Sequence, residues 1–190
     1  VFLRYACFIL GEAATISFDD VGAIRDIQDL ETEMLNGDLL NKTLNSLMPG
    51  DVFIIPNNTY HVMGGILVNT PLKNVVFQLD GTLSYSEDRH NWPRDSNGNV
   101  LACMDYHSIE DVTFTTNDNN INNRGTMQGN GHVWWGAIQY LLHAEDRPRL
   151  FHIRQSKNVL FEKIRLINSP YWTFWAENCD GLEVRYSEID

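Results

Sequence analysis

Tryptophan, histidine and carboxylate side chains are the groups in this chain whose types and spacing could act on a ligand. Trp175 lies in the run Trp172-Thr173-Phe174-Trp175-Ala176, where Trp172, Phe174 and Ala176 share one parity and Trp175 takes the other. On a strand that parity sends the first three inward and Trp175 outward. An outward indole offers an exposed aromatic face to a ligand, so Trp175 is a binding candidate; the competing reading is that a loop covers it. Trp134 and Trp135 are adjacent and would face opposite ways on a strand, with core packing the ordinary role of both. Asp19 and Asp20 put two carboxylates side by side, but they precede the repeating part of the chain, which argues against an acid–base role. His61, His90, His107, His132, His143 and His152 show no H-E-x-x-H spacing, and Cys7, Cys103 and Cys179 form no C-x-x-C. No structural or catalytic metal is expected. Without a Walker loop, a dinucleotide fingerprint or a nucleophile elbow, no cofactor is expected either.

What must position these residues is a repeat. A polar turn followed by alternating apolar residues occurs at Lys73-Asn74-Val75-Val76-Phe77, Glu110-Asp111-Val112-Thr113-Phe114, Lys157-Asn158-Val159-Leu160-Phe161 and Asp180-Gly181-Leu182-Glu183-Val184. The second place (Asn74, Asp111, Asn158, Gly181) holds residue types that tolerate a left-handed turn. From Asn158 to Gly181 the chain advances 23 residues, too long for a hairpin and too short for strand, helix and return. That length suits one coil of a solenoid. The longer gaps would then be coils carrying insertions, one at residues 87–99 and another at residues 125–149 with a short helical stretch at residues 137–143. A helix is expected over residues 38–48, with Leu40, Leu44 and Leu47 on its buried face, Asp38 as N-cap and Pro49-Gly50 as its end. It stands where a solenoid needs a cap. The fold class is therefore all-β, a right-handed parallel β-helix with a short N-terminal capping helix. A β-sandwich is the rival architecture, and the 23-residue return disfavours it.

The 190 residues suffice for one domain. With 14 basic and 25 acidic residues the formal charge is −11, which argues against a nucleic-acid partner but not against an acidic polysaccharide met by a local basic patch. Between Arg147 and Arg185 seven basic residues face four acidic ones, either an ordinary solvated surface or a basic stripe for a polyuronate. Three cysteines are too few for a disulfide scaffold, and a Cys103–Cys179 bridge cannot be read from spacing. Residues 1–10 are apolar and followed by Ala13 and Ala14, as in the tail of a secretory leader or in an ordinary first strand. No apolar run approaches the ~18 residues of a membrane span. Asn41-Lys42-Thr43 and Asn57-Asn58-Thr59 are sequons that fit a secreted protein.

Several ordered motifs resemble glycoside hydrolase family 28, which contains the polygalacturonases. The run from Pro49 to Tyr60 (PGDVFIIPNNTY) with the following GGILV resembles that family's first coil, and Asp20-Val21-Gly22-Ala23 its entry segment. Residues 125–136 resemble its G-x-I-D-G-x-G-x-x-W-W segment, with Met127-Gln128 where Ile-Asp is usual. Arg147-Pro148-Arg149-Leu150 and Asn168-Ser169-Pro170-Tyr171-Trp172 resemble R-P-x-L and N-S-P-x-W, and Trp92-Pro93 resembles the plant and bacterial exo-type branch. The resemblance, over roughly residues 19–190, implies a parallel β-helix. It also implies inverting hydrolysis of α-1,4 bonds next to galacturonic acid, which needs one carboxylic acid and one carboxylate base. In the family these come from N-T-D and D-D segments, followed by G-H-G and R-I-K; none of the four occurs here, and Gly131-His132 lies in the wrong segment to be the histidine. On this reading residues 1–18 are leader remnant or first strand, and residues 19–190 are the N-terminal part of one β-helix that ends before the catalytic coils. The catalytic groups are expected beyond Asp190, and Trp175 is the substrate-binding candidate. The expected partner is pectin or polygalacturonate, with no nucleic acid and no membrane, and the protein is expected to be a secreted monomer. A non-catalytic glycan-binding or adhesion β-helix remains the alternative.

Overall fold

The computed structural model describes residues 12–117, 124–136 and 146–190. Its strands stack in three parallel sheets, each rung of the coil adding one strand to each sheet. The first sheet holds β1 (Thr15–Ser17), β2 (Val52–Ile55), β5 (Lys73–Leu79), β8 (Glu110–Thr115), β11 (Lys157–Glu162) and β14 (Asp180–Arg185), in that spatial order. The second holds β3 (Thr59–Val62), β6 (Thr82–Tyr85), β9 (Thr126–Gln128), β12 (Arg165–Ile167) and β15 (Glu188–Ile189). The third holds β4 (Ile66–Val68), β7 (Met104–His107), β10 (Phe151–Arg154) and β13 (Phe174–Glu177). Every strand-to-strand ladder is parallel, so the chain is a parallel β-helix and the sandwich is excluded.

The four sequence repeats fall in register. Lys73, Glu110, Lys157 and Asp180 are successive partners along the first sheet. The residue after each has positive φ: Asn74 at 54°, Asp111 at 54°, Asn158 at 50° and Gly181 at 70°. A left-handed residue there turns each rung into the first sheet, and the Asn158 amide donates to the Asp111 carboxylate of the rung below at 3.0 Å. Inside, the sheet stacks Phe53, Phe77, Phe114 and Phe161, all at most 1% exposed, with neighbouring ring centroids 5.7–5.9 Å apart. The second sheet contributes Tyr60, Leu83, Met127 and Leu166, and the third Met104, Phe151 and Phe174. Burial of this column is the main favourable term in stacking the rungs.

The capping helix, α1, runs Leu30–Leu44; it starts eight residues and ends four residues before the span the leucine pattern marks. Its N-cap is Asp29, whose carboxylate accepts from Thr32 N at 2.8 Å. Asp38 lies mid-helix in an exposed pair with Lys42 at 3.8 Å, a contact of little energetic weight. The start was hidden because its buried residues are polar. Glu33 accepts from Ser86 Oγ, and the fully buried Asn36 amide donates to Ile24 O and His61 O. Leu40, Leu44 and Leu47 are buried as the pattern requires, although Leu47 lies past the helix end.

Trp134 and Trp135 lie on a single helical turn, α2 (His132–Trp135), not on a strand. The glycines before it must pass close to residues 168–170; a Cβ on Gly131 would sit 2.5 Å from Ser169 O. Within residues 125–149, Thr126–Gln128 belongs to the rung as β9 instead of to an insertion, and the helical stretch at residues 137–143 lies outside the described residues, as does the 1–10 run. Cys103 and Cys179 are both free thiols, and burial pushes the Cys103 thiol well up.

Candidate functional site

The outward face of the third sheet gathers the side chains with chemistry. Asp105, His152 and Trp175 are register partners on β7, β10 and β13, with Leu67 of β4 at the foot of the column. Beside them run His107, Arg154 and Glu177. Trp175 faces outward, as its parity requires. Phe174 faces inward and stacks on Phe151 at 5.2 Å with 19° between the rings. Ala176 shares the inward column of Ile153 and Tyr106 but stands exposed on an edge strand. Trp172 departs from the expectation: it is 50% exposed, because β13 starts at Phe174 and the alternation does not reach back past it.

A cleft of about 410 Å³ opens over this face, lined among others by Asp105, Arg149, His152 and Arg154. Asp105 holds both bases: Oδ2 accepts from Arg154 Nη2 at 3.0 Å, and Oδ1 lies 3.4 Å from His152 Nδ1. On its other side His152 Nε2 is 3.5 Å from Glu177 Oε1, so an almost buried imidazole stands between two carboxylates on adjacent rungs. Trp175 donates its indole N–H to Glu177, meets Trp172 edge-on at 5.5 Å, and carries the Arg149 guanidinium 4.7 Å from its ring centroid. Four buried polar atoms here lack a hydrogen-bond partner: Asp105 Oδ1, Arg149 Nε, His152 Nε2 and Arg154 Nε. Such atoms are costly to leave unmatched, and the two guanidinium groups that line the cleft suit an anionic, oxygen-rich ligand.

Two loops wall the cleft. The first, between β6 and β7, is pinned by Trp92, which is 2% exposed, crosses Trp134 at 85° and donates to Leu101 O at 2.9 Å. Trp92 lies so close over Gly64 that a Cβ there would be 2.2 Å from Cζ2. Asp95 shapes the tip by accepting from Asn97 N, Asn99 N and the Asn99 amide, and the Asn99 amide above all holds its carboxyl below the ordinary range. The second loop reaches the first through Arg94 Nη1 and Asp146 Oδ1 at 2.9 Å.

Of the residues singled out in the sequence, Trp175 adjoins the cleft, touching Arg149 and His152 of its lining. Asp19 and Asp20 do not: Asp19 accepts from Tyr60 Oη at 2.7 Å and pairs with Arg25, a structural role. His132 is exposed beside Glu87 at 3.7 Å. Trp134 is core, whereas Trp135 is 45% exposed and donates to Ser169 O. The basic run of 147–185 is no continuous stripe. Arg165 pairs with Glu188 and Arg185 with Glu162 on other sheets, leaving Arg149 and Arg154 at the cleft. Asp105 and His152 were missed in the sequence. Aligning the strand before each repeat turn (MDYH, FHIR, FWAE) would have put both in the column of Trp175.

Residues 53–190 match the family described as Glycosyl hydrolases family 28. The chain is 30% identical over 139 residues to a "Probable exopolygalacturonase B" of Emericella nidulans, covering 70% of this chain and 30% of that protein. It is 26% identical over 145 residues to an "Exopolygalacturonase" of Cochliobolus carbonum, covering 74% and 30%. It thus spans about 30% of the length of these curated relatives. A Yersinia enterocolitica family 28 exopolygalacturonase superposes with a TM-score of 0.51 at 13% identity, over 91% of this chain and 41% of that one. A Parabacteroides merdae protein provisionally assigned to the glycosyl hydrolases superposes with a TM-score of 0.65 at 12% identity, over 92% and 76%. These two likenesses concern the fold.

Proposed function

Because this chain belongs to glycosyl hydrolases family 28, we propose that it forms the N-terminal rungs of a secreted, monomeric exo-type polygalacturonase that inverts at the anomeric carbon of α-1,4 galacturonosyl bonds. The observation that carries the reading is the cleft on the third sheet, which Arg149, His152 and Arg154 line next to an indole. A polyuronate offers a carboxylate and ring hydroxyls on every unit. Guanidinium groups suit the first and bridging carboxylates such as Asp105 suit the second. Trp175 contributes an apolar edge for the sugar and holds Arg149 over the cleft through its ring face. Exo action is supported by the fungal exopolygalacturonases matched, and the Trp92–Pro93 loop suggests the plant and bacterial branch.

In this reading the acid that protonates the leaving oxygen and the base that activates water belong to rungs after Asp190, and residues 12–190 bind and orient the polysaccharide. Inversion requires the two carboxyl groups about 6.5–9.5 Å apart so that water fits between them and the sugar. The test is product analysis of polygalacturonate digested by the parent protein. Release of monomer from chain ends with inverted configuration is expected, and a ladder of mid-sized oligomers would refute exo action. Residues 1–190 alone are expected to release no reducing ends; release would mean that the catalytic carboxylates lie within them.

A further inference from the structure

The two sequons occupy unlike places in the coil. Asn57 is exposed at the corner where β2 passes into β3, and Asn58 N donates to Pro56 O at 2.7 Å to close the bend. Thr59 then begins β3. Asn41 lies inside α1 with Oδ1 accepting from Leu67 N at 3.0 Å, and Thr43 of its sequon is 8% exposed. Asn41 also lines a recess of about 230 Å³ between the helix, Gly64-Gly65 and Pro93. A saccharide on its amide would have to fill that recess and lift the loop that Trp92 and Pro93 pin. Leu67, which Asn41 holds, is the foot of the cleft column. The corner at Asn57 joins the first and second sheets, so a glycan there leaves the third sheet and its cleft open.

We propose that Asn57 is an N-glycosylation site of the folded, secreted protein and that Asn41 is not. The donor class is an oligosaccharide carried on a polyprenyl diphosphate. Asn57 Nδ2 bonds to the anomeric carbon, the sugar–phosphate bond breaks, the polyprenyl diphosphate leaves with the bonding pair, and Nδ2 gives up one proton. The site requires passage through a eukaryotic secretory route and does not depend on the pectin reading.

The test is secretion of the parent protein that carries these rungs from a eukaryotic cell, followed by enzymatic deglycosylation in heavy-oxygen water and peptide mapping. Expected is conversion of Asn57 to labelled aspartate with Asn41 unlabelled. The Asn57→Gln and Thr59→Ala variants should each lose one glycan's step in mobility, while Thr59→Ser and Asn41→Gln should keep it. Should Asn57→Gln fail to reach the medium, the Thr59 pair carries the comparison, since Ser keeps the hydroxyl that Ala removes. Label at Asn41 in secreted protein, an unlabelled Asn57, or a mobility step that survives Thr59→Ala would overturn the proposal.

Discussion

Replacing Gly64 by alanine should open the cleft wall without touching any group at the cleft. The added Cβ would lie 2.2 Å from Trp92 Cζ2 and 2.6 Å from Cη2, so the indole must retreat by more than 1 Å to reach ordinary contact. The retreat is not cheap. Trp92 is 2% exposed, packs edge-to-face on Trp134 at 5.4 Å, and donates to Leu101 O. Overpacking of this kind costs about 1–3 kcal/mol, which raises the open population of the loop about 5- to 150-fold. Because Trp92 is the anchor of the loop carrying Asp95, Asn99 and Leu101, the cost should fall on loop opening more than on the rungs. Limited proteolysis at residues 95–98, under conditions where opening is fast relative to cutting, reads that population directly. Gly136→Ala, where a Cβ meets nothing within 4 Å, is the control. Equal cutting rates for Gly64→Ala and Gly136→Ala would mean that Trp92 does not hold the loop.

Phe114 contacts Phe77, Tyr106, Phe151 and Phe161, and Phe114→Ala should cost about 3–5 kcal/mol in urea unfolding, because strand partners on every side cannot collapse into the void. A loss no larger than that of Phe174→Ala on the edge rung would remove the ring column as the core. The Asp95 carboxyl is depressed below its ordinary value of 3.8 by the Asn99 amide first, so its contribution is complete above that value and lost as pH falls through the lower folded value. Loop proteolysis should therefore rise in acid, and Asp95→Asn should flatten that rise; an unchanged pH profile would contradict the role. In the parent protein, Trp175→Ala should weaken oligogalacturonate binding measured calorimetrically, and unchanged affinity would remove Trp175 from the groove.

The rungs were legible because their signal is local. Asn74, Asp111, Asn158 and Gly181 each mark a turn by residue type alone, and all four have the expected positive φ. The helix start was not, because its buried residues are satisfied by distant partners: Glu33 by Ser86, and Asn36 by Ile24 and His61. A hydropathy pattern reads such positions as solvent-facing, so it marks the helix at the leucines and Asp38 as its cap. The same limit applies at the cleft. Parity within one strand placed Trp175 outward, but Asp105 and His152 lie 70 and 23 residues before it and become its neighbours only through the register of β7, β10 and β13.

That register also explains why a site forms at this corner of the coil and not at the others. Past the capping helix, the two longest connections enter the third sheet just before β7 and β10, so these insertions stack over one edge of one face. The turns into β5, β8, β11 and β14 of the first sheet carry no comparable insertion, because each closes through a left-handed residue directly into the strand. Adjacent rungs lie about 4.8 Å apart, so outward residues on neighbouring strands meet one another, as Asp105 meets Arg154 and His152 meets Glu177. The loops cross between rungs in the same way, Arg94 of one reaching Asp146 of the next at 2.9 Å. A cleft wall made of joined loops, over a floor made of stacked rungs, lengthens by one polar row with each turn of the coil. A linear polymer is the ligand that such a surface can follow.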